Sequence, residues 1–371
     1  MKIPGFSAAR DGYPDNLRPL TSLRFIAVVW VILYHFRGGL GLGDWLTVTK
    51  GYLGVDFFFI LSGFILFHVY REKIKSGAVS PWKFYIRRLA RIYPIHLFTF
   101  ILYMAGLLLA FSVLHEPDDL QQMEKYHWFN NWHPILNNLL LTHGWGFEKE
   151  LSFNVPTWSL SSEWFAYLLF PFIVPGLSKL PTRWIIGGAF SLLLGMWFLV
   201  PILMQNQMTM LTFNFSVLRI MPEFIFGIAL YEVGRNYKFT FSARTLFIGL
   251  SGLVIVLCEL QVPDIVLVIL FGILIFIAAE SERQGCAGLL GHKLSVWLGE
   301  LSFSIYMVHY LILDAMFIFV AVMTFHNVIP VEIYRMLWFA ILPATFILAV
   351  ILNRFIERPA RKWLDTRFAG L

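Results

Sequence analysis

Ten apolar runs of about twenty residues recur along this chain, and they leave few folds open. A helix crosses the hydrocarbon core of a bilayer in about 20 residues, and in lipid every backbone amide must find its partner within the protein. The runs fall near 19–37, 51–70, 92–114, 157–176, 184–204, 215–233, 244–261, 264–280, 296–320 and 333–354. They predict an all-α, polytopic membrane helical bundle of about ten transmembrane helices. Charged residues are only 14% of the chain, where a soluble domain carries about 25%. The mean hydropathy of +0.69 agrees, and 37 phenylalanines with 13 tryptophans suit lipid-facing helices with interfacial aromatic belts. Val262 and Pro263 alone separate two of the runs, which requires a tight turn there.

Charge placement orients the bundle. With the N-terminus inside, 22 of the 29 lysines and arginines fall in inner segments, including seven from Arg71 to Arg91 and five from Arg354 to Arg367. Only Arg37, Lys50, Lys125 and Lys149 fall outside. The positive-inside rule then places both termini in the cytoplasm, so the net charge of +6 reads as topology, and no nucleic-acid partner is expected. Membrane lipid is the surrounding partner. One membrane domain is expected over 1–371, with a short N-terminal segment to about 18, an outer loop at about 115–156 and a cytoplasmic tail at about 355–371. The first run reads as a retained helix, since no cleavage signal follows it. Cys258 and Cys286 form no disulfide framework. In the acidic, aromatic outer loop, residues 134–142 are apolar but too short to span; they either dip into the membrane or cap the bundle.

Ionisable residues within spans are rare and usually face a cavity or a partner. The first helix, LTSLRFIAVVWVILYHF, carries Arg24 and His35 eleven residues apart. Helical geometry puts them within roughly 20° of one stripe and about 16 Å apart along the axis. Arg24 lies near enough to the inner end to snorkel instead. Asp56 opens the second helix, where a carboxylate suits the N-terminus, and Ser62-Gly63 permits close helix approach. Arg87, Arg88 and Arg91 stand at the mouth of the third helix, where guanidinium forks bind phosphate. Glu163 lies about 9 Å inside the fourth helix, with Ser159 and Ser162 one turn apart beside it. Arg219 and Glu223 are spaced to pair within one helix. His309 lies in the outer half of the ninth, where a helix–helix hydrogen bond is the structural alternative. By depth, His35, Asp56, Glu163, Arg219 and His309 form an outer cluster and the arginines at 24, 87, 88 and 91 an inner one. That division suits a charged, elongated ligand entering from the cytoplasm.

In combination these segments resemble the membrane-bound acyltransferase-3 family. The arginine–ten residues–histidine spacing of the first helix carries the likeness, with GVDFFFILSGFIL at 54–66, RRLARIYP at 87–94, TWSLSSEWF at 157–165, LGELSFSIYMVHY at 298–310 and FIERPARKW at 355–363. They run in order over almost the whole chain. Nothing resembling an added soluble domain follows, so a stand-alone member is expected, similar to enzymes that acetylate bacterial exopolysaccharides of the xanthan type. The resemblance implies an acyl-CoA donor, usually acetyl-CoA, and transfer to a carbohydrate hydroxyl at the outer face of the bacterial inner membrane. It implies Arg24 and His35 as the essential pair, Arg88 and Arg91 as donor-binding residues, and Glu163 as the motif glutamate. Ser62 and His309 match motif positions without an assigned role. Tyr93 and Arg87 join the expected donor set through their place in RRLARIYP. No permanently bound cofactor and no metal are expected.

The expected mechanism sets the coenzyme A phosphates against Arg87, Arg88 and Arg91, with Arg24 deeper and the thioester reaching His35. His35 then acts either as general base on the acceptor hydroxyl or as a nucleophile giving an acyl-histidine. Glu163 or Asp56 would orient it. Trp158, Ser159, Ser162 or Arg219 would hold the acceptor or the oxyanion, with His309 also on the acceptor side. Acceptors in the resembling family span exopolysaccharide, its lipid-linked repeat, O-antigen, peptidoglycan and small molecules. A lipid-linked saccharide transporter and a non-catalytic scaffold are the competing classes. The transporter would form no ester, and the scaffold would tolerate neutral replacement of Arg24 and His35.

Overall fold

The computed structural model describes residues 6–8, 12–113, 131–325 and 330–368. Long helices dominate it: α1 (Arg18–Phe36), α2 (Gly54–Lys75), α3 (Pro81–Val113), a short α4 (Trp132–Leu140), α5 (Trp158–Leu177), α6 (Thr182–Met204), α7 (Val217–Asn236), α8 (Ala243–Glu259), α9 (Asp264–Arg283), α10 (Lys293–Phe325), α11 (Val331–Leu352) and α12 (Arg358–Phe368). Each of the ten expected runs is helical, and the fold is the expected all-α polytopic bundle. Among the described residues, eight helices are long and apolar enough to cross a membrane. Helices α7 and α8 fall outside that set. Helix α8 has only 17 residues, and α7 carries Arg219, Glu223, Glu232 and Arg235. Helix α3 begins at Pro81, eleven residues before the expected start, so its three arginines lie on the helix itself. The expected pairing of Arg219 with Glu223 does not form.

The charges of α7 are answered across the bundle. Both nitrogens of the Arg219 fork donate to Asp56, Nε to Oδ1 at 2.9 Å and Nη2 to Oδ2 at 2.6 Å. At the other end of α7, Arg71 Nε lies 2.8 Å from Glu232 Oε1 and Arg235 Nη2 lies 2.9 Å from Glu232 Oε2. The Asp56 and Arg71 pairs bind α7 to α2 near both ends, and the backbones meet closely between them. A Cβ on Gly63 would lie 1.9 Å from the Phe224 carbonyl oxygen, and one on Gly227 would lie 2.0 Å from that of Ile60. The close approach expected of Ser62-Gly63 is therefore real and is made by the glycine. Helices α1 and α10 meet in the same way, with Gly299 against the Thr21 carbonyl.

The basic end of the bundle gathers both chain ends. Strand β1 (Phe6–Ala8) pairs antiparallel with β2 (Tyr237–Phe239), which the apolar pattern gave no reason to expect. Tyr13 donates to Glu280 Oε1 at 2.7 Å beneath the Arg283 guanidinium. Burial and the Glu280 carboxylate hold that phenol well above its ordinary range, so it stays a donor. A single π-helical turn, 353–357, joins α11 to α12, and there Glu357 accepts from Ser304 at 2.5 Å and Asn353 at 3.0 Å. Helix α12 packs against α3. At the opposite end, α4 lies beside the span of α3. Tyr93, about 18 Å into α3, donates to Leu139 O at 3.0 Å, and His96 Nε2 donates to Asn138 O at 2.9 Å. The 134–142 stretch therefore sits within the bundle. Residues 115–130 of the expected outer loop lie outside the described residues.

Candidate active site

Helices α1, α2, α3, α5, α10 and α12 enclose a cavity of about 390 Å³. Its polar walls come from Arg24, Arg88, Arg91, Arg361, Ser62, Glu163, Tyr70, Tyr167, Ser159, Ser302 and Tyr306, and its apolar walls mainly from α2. Helical geometry explains the set. Arg88 and Arg91 are three residues apart on α3 and share a face. Ser62 neighbours Gly63, so the glycine that admits α7 leaves the serine turned to the other side.

Four guanidinium groups line this cavity against one carboxylate, Glu163. Ser62 Oγ donates to Glu163 Oε1 at 2.5 Å and the Tyr167 hydroxyl donates to the same oxygen. Arg88 Nη2 donates to the Tyr70 hydroxyl at 3.2 Å, and its guanidinium lies 5.3 to 6.0 Å from the ring centres of Tyr70, Tyr167 and Phe84. Arg88 is thus held by a phenol and ring faces, which anchor a cation without neutralising it. A cavity with that excess of positive charge, walled by apolar residues, suits an anionic head joined to an uncharged arm.

The structure sorts the expected site residues differently from their depth in sequence. Arg24, Arg88, Arg91, Glu163, Ser62 and Ser159 come together at the cavity. Arg24 faces it, and the snorkelling alternative falls. Arg87 and Tyr93 do not line it: Tyr93 is spent on Leu139, and Arg87 lies on another face of α3. Glu163 joins the arginines at the cavity, where its Oε1 accepts from Ser62 and Tyr167, and it makes no hydrogen bond to His35. Asp56 does not orient His35 either, because both its oxygens take the fork of Arg219. Trp158 lies against that guanidinium, 5.1 Å from ring centre to cation. Ser162 bonds to the Trp158 carbonyl at 2.9 Å and to Ser216 at 2.5 Å. Trp158, Ser162 and Arg219 are therefore packing elements off the cavity, not oxyanion donors within it.

His35 shares the stripe of Arg24 but occupies another compartment. The cavity stops at Tyr306 and Ser159. Their hydroxyls lie 2.7 Å apart, and both donate to the Pro156 carbonyl at 2.9 Å. Beyond this polar wall lies His309, its ring 5.5 Å from that of Tyr306, and beyond it His35, 5.2 Å from His309. Tyr34 and Tyr310 box the His35 ring at 5.1 and 5.4 Å. The continuous track expected along α1 is interrupted by one ring layer. His309 Nδ1 lies 2.6 Å from the carbonyl oxygen of Tyr306 one turn back in its own helix, so that nitrogen makes no helix–helix bond.

Sequence reasoning passed over Tyr306, Tyr167, Tyr70 and Arg361. Tyr306 and Arg361 stand inside stretches quoted for the resemblance, LSFSIYMVHY and FIERPARKW. Tyrosine looks like interfacial lining and a terminal arginine like topology, so neither signal separates from its background.

The acyltransferase domain profile of the acyltransferase-3 family matches residues 20–354. The chain is 28% identical over 324 residues to the acyltransferase MdmB of Streptomyces mycarofaciens, covering 80% of this chain and 79% of that protein. It is 30% identical over 169 residues to the O-acetyltransferase OatA of Staphylococcus aureus, covering 43% of this chain and 25% of that one. With the peptidoglycan O-acetyltransferase OatA of Listeria monocytogenes it shares 24% identity over 92% of its own length and 55% of the relative's. This chain therefore spans a quarter to about half of those two longer relatives. No solved structure matches it. An all-α multi-pass bundle matched by this profile over residues 20–354, the chain belongs to the acyltransferase-3 family of membrane O-acyltransferases.

Proposed function

We propose that the chain moves an acetyl group from cytoplasmic acetyl-CoA to a carbohydrate hydroxyl at the outer face of the bacterial inner membrane. The supporting observation is the cavity: four arginines, one carboxylate and an apolar throat that ends one ring layer from His35. The anionic nucleotide end of coenzyme A would lie against Arg88, Arg91 and Arg361, with Arg24 further in. The uncharged pantetheine arm would follow the apolar face of α2 toward Tyr306. His35 would take the proton of the acceptor hydroxyl as it attacks the thioester carbonyl, or take the acyl group itself before passing it on. Either route needs the Tyr306 wall to open, a side-chain motion of the gating kind. The concentration of lysine and arginine between Arg71 and Arg91 and between Arg354 and Arg367 supports a cytoplasmic position for both termini by the positive-inside rule.

The acceptor we favour is an exopolysaccharide or its lipid-linked repeat unit. Peptidoglycan is the second reading, favoured by the name of the Listeria relative. Purified protein in liposomes, given radiolabelled acetyl-CoA and candidate acceptors, tests the proposal. Label should pass into an alkali-labile ester in wild type and not in His35→Ala. Absence of any ester with every carbohydrate acceptor, together with saccharide flux across the liposome, would favour the transporter class. Mass spectrometry of surface glycans from cells with and without the gene separates the two acceptors.

A further inference from the structure

His309 sits in the middle of α10 and is fully buried. Its Nδ1 faces the Tyr306 carbonyl oxygen at 2.6 Å. A carbonyl only accepts, so Nδ1 carries the hydrogen. A neutral imidazole has one N–H, which leaves Nε2 as a bare lone pair. That atom is buried and has no hydrogen-bond partner. A buried acceptor without a donor is unfavourable, and the surroundings offer few donors. The Tyr306 hydroxyl is held by Pro156 and Ser159. Phe36, 6.3 Å away, has none, and Tyr310 meets the His309 ring at 85°.

Of the rings packed on His309, that of His35 carries an N–H. The two ring centres are 5.2 Å apart, a separation that brings facing ring nitrogens within about 3 Å, the length of a hydrogen bond. The rings are tilted by 45°, and a rotation of the half-buried His35 ring aligns them. The other groups around His35 do not compete: Arg37 is turned onto Tyr34, bonding its carbonyl and covering its ring, and Tyr34 and Tyr310 present ring edges or faces.

We infer that His309 is a positioning residue whose Nε2 accepts the N–H of His35, so that the other His35 nitrogen is held as a lone pair toward the acceptor. This rests on the reading of His35 as the reacting histidine. In the reaction the acceptor O–H gives its proton to that nitrogen and its oxygen bonds to the thioester carbon. The carbon–sulfur bond then breaks, and the proton returns to the departing thiolate. The products are the ester and the free thiol, and His309 stays neutral throughout. The same tautomer serves if His35 attacks first.

The test compares His309→Phe, which keeps a flat ring without an acceptor, with His309→Gln, whose amide oxygen can take the same N–H. The expected result is a fall in kcat of about 10²–10⁴-fold in His309→Phe, the range seen when a catalytic histidine loses its orienting partner. KM for acetyl-CoA should be unchanged, and His309→Gln should recover at least tenfold. Activity of His309→Phe within threefold of wild type, a change confined to KM, or no recovery in His309→Gln would each overturn the inference. If neither variant folds, solid-state NMR of ¹⁵N-histidine wild type decides: the inference requires an Nδ1–H tautomer at His309 and one fixed tautomer at His35. His35→Ala in the same assay separates the two levels. If it stays active, the proposed function falls; if it is dead while His309→Phe is active, only this inference does.

Discussion

The Asp56–Arg219 pair offers the clearest measurement, because the structure moves both residues from chemistry to architecture. Asp56 is 0% exposed and Arg219 2%, and they share two bonds. Asp56→Ala leaves a guanidinium without its counter-ion in the interior, and breaking a buried pair this way costs about 3–5 kcal/mol. For 371 residues, at the roughly 2.1 cal/mol/K per residue of a globular fold, that corresponds to a loss of about 4–6 °C in melting temperature. Replacing both partners by apolar residues of similar bulk is often neutral or stabilising. The double variant Asp56→Leu/Arg219→Met should therefore melt near wild type, which gives a coupling of at least about 3 kcal/mol in the cycle. Glu223 is fully buried and stands one turn from Arg219 on α7. The cycle is cleanest in a Glu223→Gln background, where removing the arginine strands no second charge. Tryptophan fluorescence of the detergent-solubilised protein is a suitable probe, because Trp158 lies against the Arg219 guanidinium. Single variants that melt within 1 °C of wild type would refute the energetic reasoning. A double variant that melts normally but transfers no acetyl group would refute the structural role and return the pair to the chemistry.

Further outcomes follow from the geometry. Gly227→Ala forces a methyl to within 2.0 Å of the Ile60 carbonyl and should destabilise by about 1–3 kcal/mol or more. Gly249→Ala, whose methyl meets nothing within 4 Å in the exposed part of α8, should stabilise by up to about 1 kcal/mol; paired thermal melts check both. Arg88→Ala and Arg91→Ala should each weaken acetyl-CoA binding by roughly ten- to a hundredfold, the value of a charge-assisted hydrogen bond of about 1.5–3 kcal/mol, whereas Arg87→Ala, off the cavity, should bind as wild type in equilibrium dialysis. Arg361→Ala should raise the dissociation constant in the same assay and reduce its dependence on salt; an unchanged constant would remove α12 from the donor site. His35→Ala should melt as wild type and form no ester in the labelled-donor assay.

Helix positions were readable because hydrocarbon length is a one-dimensional constraint. The start of α3 was not, since PWKFYIRRLARIY is too charged to score as a span even though its charges turn inward to a cavity. Helix α7 was read as a span by its apolar residues, but what neutralises it is Asp56, 163 positions away, and no local spacing encodes that. Arg87 and Arg88 show the limit of periodicity. Arg91 lies four residues from one and three from the other, so both fit its face equally, and only the packing of α3 against α2 and α5 selects Arg88. The eleven-residue interval from Arg24 to His35 correctly gave a shared stripe. It could not show that the rings of Tyr306 and His309 stand between the compartments that stripe crosses.

That wall bears on a problem every such enzyme must solve. A protein that draws its donor from one side of a membrane and serves an acceptor on the other is, in outline, a pore. In a chain working that way, the hydroxyl-knit barrier of Tyr306, Ser159 and Pro156 would part the arginine-lined cavity from His35. Such a barrier would keep a resting molecule from leaking protons or metabolites and would keep water from the far side away from a bound thioester. Any variant that loosens this seal should reveal itself first as futile donor consumption or as lost membrane tightness, before any change in what the enzyme modifies.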